Sequence, residues 1–388
     1  MVKSMADLKH LHAELEKAQV PVAKYRADNQ FLYEADYALR PHQHEGKTVT
    51  YGFISVTTLK YSSDCTRVSS NELTINQARA IADGKSIFVI IEANQYAGLL
   101  ILSQPQETEY FLIAFQKKLG GIIGVTGSNG TTRFFSHKGI AIHELRNWRI
   151  KPNIQSTTEI IRRSAPMIDC RNVSRILEFC FYSLSANKTG ATLVWFLREP
   201  DNTALIAAKS QMDTQALQIN LLSSQNLLPL QSILERNDGA ALISPVGDVI
   251  GVGAHLQQSE KSTKLIEAYS GTRHTSARRF SYDWAESIIF TVSSDGPVSV
   301  FSDGLKVTEL DTFNAEAIAD HYRSITPENH VDHSSWDVIC PQCGKNSIVH
   351  EIVISGWKDR ETVDCPVCDT QIAARKCYQL TAQLVKKF

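Results

Sequence analysis

The chain lacks most of the features that mark specialised protein classes. No apolar run approaches the roughly 18 residues needed to cross a bilayer. The longest are short pieces such as Ile87–Ile91 and Gly98–Leu102. The opening stretch MVKSMADLKHLHAEL scatters its charges and has no apolar h-region, so neither a membrane anchor nor a secretory signal is expected. Charge of one sign is missing too. Forty basic residues face 41 acidic ones for a net charge of −1, which removes bulk charge as a reason for nucleic-acid or membrane binding but leaves room for a local basic patch. No internal repeat or low-complexity tract is visible, so the chain reads as discrete modules. The glycine-rich stretch Gly120–Gly130 lacks the Lys of a phosphate loop and the dinucleotide fingerprint. A hairpin turn at Ser128-Asn129-Gly130 is expected there instead.

What is present is globular. The 388 residues are 43% hydrophobic and 21% charged, a composition that excludes a mainly disordered or fibrous chain. The length suits two or three domains. Five of the eight cysteines (Cys340, Cys343, Cys365, Cys368 and Cys377) crowd the last fifty residues. A disulfide framework would scatter through a small secreted domain, whereas paired CxxC turns read as metal ligation in a reducing compartment. A cytoplasmic protein is expected.

The modules can be read in order. Leu8, Leu11 and Leu15 predict a short amphipathic helix over residues 5–18, stopped near Pro21. The runs Ile87–Ile91, Leu99–Leu102 and Tyr110–Phe115 predict strands, which makes residues 1–160 an N-terminal α/β domain with a substantial sheet. A second unit, 164–325, opens with a helix whose face carries Ile176, Leu177, Cys180, Phe181 and Leu184. After the turn Asn187–Gly190 come a buried strand at Ala191–Leu197, a helix at Leu227–Leu234, and strands at Ala240–Ile243, Val249–Val252, Ile288–Val292 and Val298–Phe301. A helix over Ala315–Tyr322 closes this unit. The polar stretch Thr326–Ser335 reads as a linker to a third module, 336–388. The fold class is mixed α/β with a small cysteine-rich module at the C-terminal side.

Two pieces of the middle unit carry chemistry. Asn237-Asp238-Gly239-Ala240 stands at the start of a strand, and Gly271-Thr272-Arg273-His274 reads as a turn running into a helix. A helix start offers unpaired N–H groups and a positive dipole end to an anion. Thr, Arg and His add a hydroxyl, a bidentate cation and an imidazole, making a triphosphate corner without a Walker lysine. Gly239 lets a ligand approach the backbone, and Asp238 offers a hard oxygen to a divalent metal. Carboxylate, metal and phosphate clamp together form a nucleotidyl-transfer inventory.

From about Arg171 to Thr308 the sequence resembles the diadenylate cyclase (DAC) domain of the DNA-integrity-scanning proteins and membrane-bound cyclic-di-AMP synthases. The matching residues are Asp238-Gly239-Ala240 with Ile243, Ile250-Gly251-Val252-Gly253-Ala254, and Gly271-Thr272-Arg273-His274. Thr189–Val194 is similar to the family's first strand, and Thr291–Gly296 to its closing strand. The resemblance implies a central mixed sheet flanked by helices and the condensation of two ATP molecules into cyclic di-AMP with release of two pyrophosphates. It also implies a face-to-face pair of DAC domains in a homodimer or higher oligomer. Asp238 would hold Mg²⁺ or Mn²⁺ and activate the 3′-hydroxyl, and Gly239 and Ala240 would line the nucleoside side. Thr272, Arg273 and His274 would hold the phosphates beside Gly271 and Ser276. The family's Arg-His-Arg motif is interrupted, because its third position here is Thr275; Arg278 or Arg279, on the same helical face, could restore the cation. The N-terminal domain would then be a sensory module.

Cys340-Pro341-Gln342-Cys343 and Cys365-Pro366-Val367-Cys368 predict a zinc ribbon with one closed, structural Zn²⁺ site. Cys377 reads as a core thiol and His350 as a strand residue. Such ribbons contact nucleic acid or protein, and the surrounding lysines and arginines permit either. Two rival functions remain open at this level, a catalytically silent nucleotide receptor and a nucleic-acid-binding regulator dominated by the ribbon.

Overall fold

The computed structural model describes residues 5–26, 28–40, 43–59, 65–164, 168–200, 208–209, 212–268, 271–315, 331–354, 360–377 and 379–384. The chain divides into two compact units, Met1–Ile154 with Asp311–Ala319, and Gln155–Leu310 with Asp320–Phe388.

The first unit is built on a nine-stranded sheet. Its main strands are β1 (Tyr51–Val56), β2 (Cys65–Ser69), β3 (Ile87–Glu92), β4 (Gln95–Leu102), β5 (Ile122–Thr126), β6 (Thr132–Ser136), β7 (Gly139–Glu144) and β8 (Asn147–Pro152). The spatial order is β8-β7-β6-β5-β1-β3-β4-β2, and the two-residue strand Phe313–Asn314 adds to the β8 edge. Phe88, Val89, Ile90 and Ile91 are all fully buried, which explains why β3 is apolar from Ile87 to Ile91 rather than alternating. It lies parallel to β1, whereas β1 is antiparallel to β5. The expected hairpin joins β5 to β6 through Ser128-Asn129-Gly130. Helices α1 (Met5–Lys17), α2 (Gln30–Ala38) and α3 (Ile75–Ile81) share the core through Leu8, Leu11, Leu15, Phe31, Leu32 and Ala78.

One expectation fails here. Tyr110–Phe115 is not a strand but the front of helix α4 (Glu109–Leu119). Thr108 caps it by accepting from the Phe111 N–H, and Leu112, Ile113, Gln116 and Leu119 form its buried face. An aromatic run of this length fits a buried strand equally well, and the cap and the helical burial period decide otherwise.

The second unit begins with helices α5 (Gln155–Ser164) and α6 (Cys170–Glu178), so residues 155–160 fall in this unit rather than the first. The α6 helix widens into a π-helical segment, Phe179–Leu184, whose six residues are all buried. The sheet contains β9 (Ala191–Phe196), β10 (Ala240–Ile243), β11 (Val249–Leu256), β12 (Ser287–Val292), β13 (Val298–Ser302) and β14 (Leu305–Leu310), in the order β11-β10-β9-β12-β13-β14. Only β9 and β10 pair in parallel among these strands. Helix α7 (Leu227–Arg236) leads into β10, α8 (Glu260–Leu265) follows β11, and α9 (Thr272–Asp283) precedes β12. Ala277 and Phe280 of α9 bury against Val194, Ile289 and Phe301 of the sheet. The helix expected over Ala315–Tyr322 lies outside the described residues beyond Ala315.

The cysteine-rich module comprises β15 (Val331–Ile339), β16 (Asn346–Ile354), β17 (Arg360–Asp364), β18 (Gln371–Lys376) and β19 (Gln379–Leu384). β15, β16 and β19 form one small sheet, and β17 and β18 form a hairpin. The expected linker is corrected in part, because Val331–Ser335 pair along β16 rather than running free. Polar strand residues of that kind carry no apolar signal to read. His350 is a strand residue in β16, and Cys377 is fully buried against Val349 and Leu380.

Candidate functional site

The start of β10 and the start of α9 meet in a cleft of about 580 Å³. Gly239 lies at φ +103, a region that L side chains rarely adopt. A Cβ placed there would come within 2.6 Å of the Gly253 carbonyl carbon. The close approach arises from a register break between β10 and β11. Ala240 pairs with Ala254, but Leu242 pairs with Gly251, so β11 carries one extra residue around Gly253, itself at φ +74. Such bulges re-aim side chains next to binding sites. Here the bulge leaves Asp238 exposed at the cleft edge, with Ala240 and Ala254 buried as its floor.

Across the cleft stands the first turn of α9. Its N-cap is Gly271, and no side chain caps the helix, so the positive end is available to an anion. Thr272 and Arg273 are exposed and line the cleft, as do half-buried His274 and Ser276. The Arg273 guanidinium lies over Gly190, where an added Cβ would sit only 2.6 Å from Nη1. Gly190 therefore makes the space that Arg273 uses. The His274 ring stands edge-on to Phe301, with ring centres 6.0 Å apart. Burial lowers its pKa, nearby Lys306 and Arg273 lower it further, and Glu309 opposes them.

The structure thus brings Asp238, Gly239, Ala240, Gly271, Thr272, Arg273, His274 and Ser276 together. It does not bring Thr275, Arg278 or Arg279 to the cleft wall. Thr275 is buried and its hydroxyl donates to the Gly271 carbonyl at 2.9 Å. Arg278 donates through Nε to the Gly304 carbonyl, 2.8 Å away. Arg279 donates through Nε to the Ile266 carbonyl and through Nη1 to Gln258 Oε1. The cleft also uses Thr192, His255, Gln258 and Ser293, which the sequence alone did not single out. Thr192 had a signal, since it lies in the run Thr189–Val194 that resembles the family's first strand, and the structure sets it directly beside Ala240. Gln258 had none before its contact with Arg279 was visible. Asp238 is the one carboxylate among the described lining residues, so a divalent cation there would be completed by phosphate oxygens, the usual arrangement for Mg²⁺.

The four knuckle thiols form a second, separate centre. The sulfurs of Cys340, Cys343, Cys365 and Cys368 all lie within 4.8 Å of one another. Cys340 and Cys368 are 3.4 Å apart, and Cys343 and Cys365 are 3.6 Å apart. A tetrahedron with Zn–S bonds near 2.3 Å has edges of about 3.8 Å, so the set fits a zinc-binding module. Both knuckles share one backbone plan. The Cys340 N–H donates to the Lys345 carbonyl and the Gly344 N–H returns to the Cys340 carbonyl; Cys365, Thr370 and Asp369 repeat the pattern. Hydrogen bonding by Thr370 lowers the Cys368 pKa, toward the thiolate a metal requires.

Comparison with known families agrees with this layout. Residues 10–152 match the family described as the probable sensor domain DACNK. Residues 179–305 match the DAC family, described as DisA bacterial checkpoint controller nucleotide-binding. No curated protein matches the chain. The cleft is therefore that of a nucleotide-binding domain of the cyclase class. The chain thus carries, in order, a stretch matching the probable sensor domain DACNK and a stretch matching the DAC domain. Among the described residues no helix is long and apolar enough to cross a membrane.

A pH dependence follows from His274. Its pKa lies below the ordinary 6.5, so the ring is neutral in the free protein at pH 7, while a triphosphate favours the imidazolium. Nucleotide affinity should strengthen as pH falls from about 7.5 to about 5.5. In calorimetric titrations across that range, His274→Gln should show a shallower slope than the parent. The ligand's own protonation is common to both proteins and cancels. Equal slopes would remove His274 from the phosphate contacts.

Proposed function

We propose that the protein is a metal-dependent diadenylate cyclase that condenses two ATP into cyclic di-AMP and two pyrophosphates. The observation that carries this reading is the meeting of Asp238 and Gly239 with the uncapped start of α9 across one cleft. Gly239, Ala240 and Ala254 give a flat wall on which a nucleoside can lie against backbone. Arg273 and the α9 N–H groups hold the triphosphate, with Thr272 and His274 as further donors. Asp238 orients the ribose 3′-hydroxyl and draws on its proton. Asp238 would hold Mg²⁺ or Mn²⁺, which would supply neutralisation of charge at the reacting phosphorus. The hydroxyl oxygen of one ATP bonds to the α-phosphorus of the other, and the α–β bridging oxygen leaves with pyrophosphate. Performed twice, in opposite directions, this closes the ring. One cleft presents one ATP, so a second copy of the domain must face it. In this reading four thiolates hold a structural Zn²⁺, and ATP use together with paired CxxC thiols supports a cytoplasmic protein.

One observation favours a second reading, a nucleotide receptor without turnover. The family's third motif cation is absent from the cleft wall, because Thr275 is buried, Arg278 donates to the Gly304 carbonyl, and Arg279 stands behind the lining residue Gln258, donating to it and to the Ile266 carbonyl. A lost charge-assisted contact of this kind is worth about 1.5–3 kcal/mol. Mass spectrometry after incubation with ATP and Mn²⁺ or Mg²⁺ decides between the readings. The cyclase predicts cyclic di-AMP from the parent and none from Asp238→Ala. Saturable ATP binding without product under either metal would establish the receptor.

A further inference from the structure

A second cleft, of about 470 Å³, lies within the sensor unit, and its chemistry is specific. It forms at the carboxyl ends of the parallel strands of that sheet. Ser55 and Val56 end β1 and Thr57 follows it, while Ala93 and Asn94 come directly after β3. Open sheets bind ligands outside the carboxyl ends of parallel strands, where neighbouring connections diverge. The floor is kept low by Gly121 at φ +90, where a Cβ would lie 2.3 Å from the Ser55 carbonyl oxygen. A cleft of this volume suits a small molecule.

Its polar groups are mainly donors. Asn29, the N-cap of α2, is only 6% exposed and lines the cleft. Its Oδ1 accepts from the Phe31 N–H at 3.1 Å, while its Nδ2 has no partner among the described residues. That nitrogen is not fully buried and opens on the cleft, so a ligand acceptor can take the place of water there. Lys24 and His137 also line the cleft, and neither has an acidic partner among the described residues. Arg26 is already neutralised, donating to both Asp28 carboxylate oxygens at 3.1 and 2.9 Å. No Asp or Glu lines the cleft among the described residues. The positive end of α2 adds to the same field. Val22, Val56 and Ile122 supply an apolar wall beside these donors.

We propose that this cleft is the receptor site of the sensor domain and that it takes a small organic anion, a phosphate or carboxylate on a compact apolar body. The anion meets Lys24, His137 and the Asn29 amide, and the body lies on the apolar wall. This proposal stands independently of whether ATP is cyclised.

The test is calorimetric titration of the full chain with phenyl phosphate, phenylacetate and AMP. An Arg273→Ala background weakens the other anion corner of the molecule. At least one probe should bind saturably with a Kd of about 1 mM or tighter, and comparison of the phosphate and carboxylate arms identifies the head group. Lys24→Glu, on the surface, should weaken that binding by about tenfold or more. Asn29→Asp keeps the helix cap and the shape of the side chain but replaces the donor with a charge, and it should abolish saturation at an unchanged melting temperature. No saturable binding of any probe overturns the proposal, as does binding that Lys24→Glu leaves untouched.

Discussion

For the proposed cyclase, Gly239→Ala should reduce nucleotide turnover by at least about a hundredfold. The added methyl group is asked to occupy φ +103 and to sit 2.6 Å from the Gly253 carbonyl carbon. The backbone strain costs on the order of 1–3 kcal/mol, and the overpacking against β11 a similar amount. Relief is available only by moving the two strands apart. That shift carries Asp238 away from Arg273, and displacement of a reacting group by about 1 Å costs on the order of a hundredfold in rate. Gly271→Ala is the informative contrast for stability. Its Cβ would meet only His274 Nδ1, at 3.8 Å, and its φ of −147 is ordinary extended backbone. The melting temperature should fall for Gly239→Ala and stay in place for Gly271→Ala, and product assays on the former measure the loss of rate. A Gly239→Ala protein of parental activity would mean that the β10–β11 bulge does not position the site.

Loss of the proposed zinc from the cysteine-rich module should unfold that module outright. Its fully buried apolar core among the described residues is little more than Val349, Cys377 and Leu380, too small to offset the chain entropy of its strands. A structural zinc contributes about 10–16 kcal/mol of apparent binding free energy in domains of this size. Cys365→Ser, or a strong chelator, should release one zinc per chain and open the stretch beyond Val331 to trypsin. Zinc release can be followed with a colorimetric indicator, and cleavage by mass spectrometry of the fragments. A ribbon that stays protease-resistant after complete zinc loss would show that its strands hold together without the metal.

Legibility in the sequence followed the range of the interactions concerned. β10 is a short apolar run bounded by Asp238-Gly239 and a Pro-Val-Gly-Asp turn, so its ends were marked locally and matched the structure. The clamp residues Thr272, Arg273 and His274 were visible because a glycine and a helix start lie in the same few residues. Tyr110–Phe115 was ambiguous, since aromatic and branched side chains in unbroken succession suit a buried strand and a buried helix face alike. The decisive cap, Thr108, stands outside the run. Long-range features were invisible. The space that Gly190 leaves for Arg273 spans more than eighty residues of chain, and the Gln258–Arg279 contact depends on how α9 packs behind β11. The sensor cleft assembles from the ends of four strands and a helix cap, none of which carries a motif of its own.

The DAC cleft is open along one side, with Asp238, Thr272 and Arg273 all exposed. For the proposed reaction this openness has a kinetic meaning. Each chain supplies half of a reaction chamber, so below the dissociation constant of the pair the rate grows with the square of protein concentration, and above it only in proportion. The amount of enzyme in the cell is then itself an input to the signal. A modest rise in abundance, or a modest gain in pairing affinity, is amplified before any change in the chemistry of a single site.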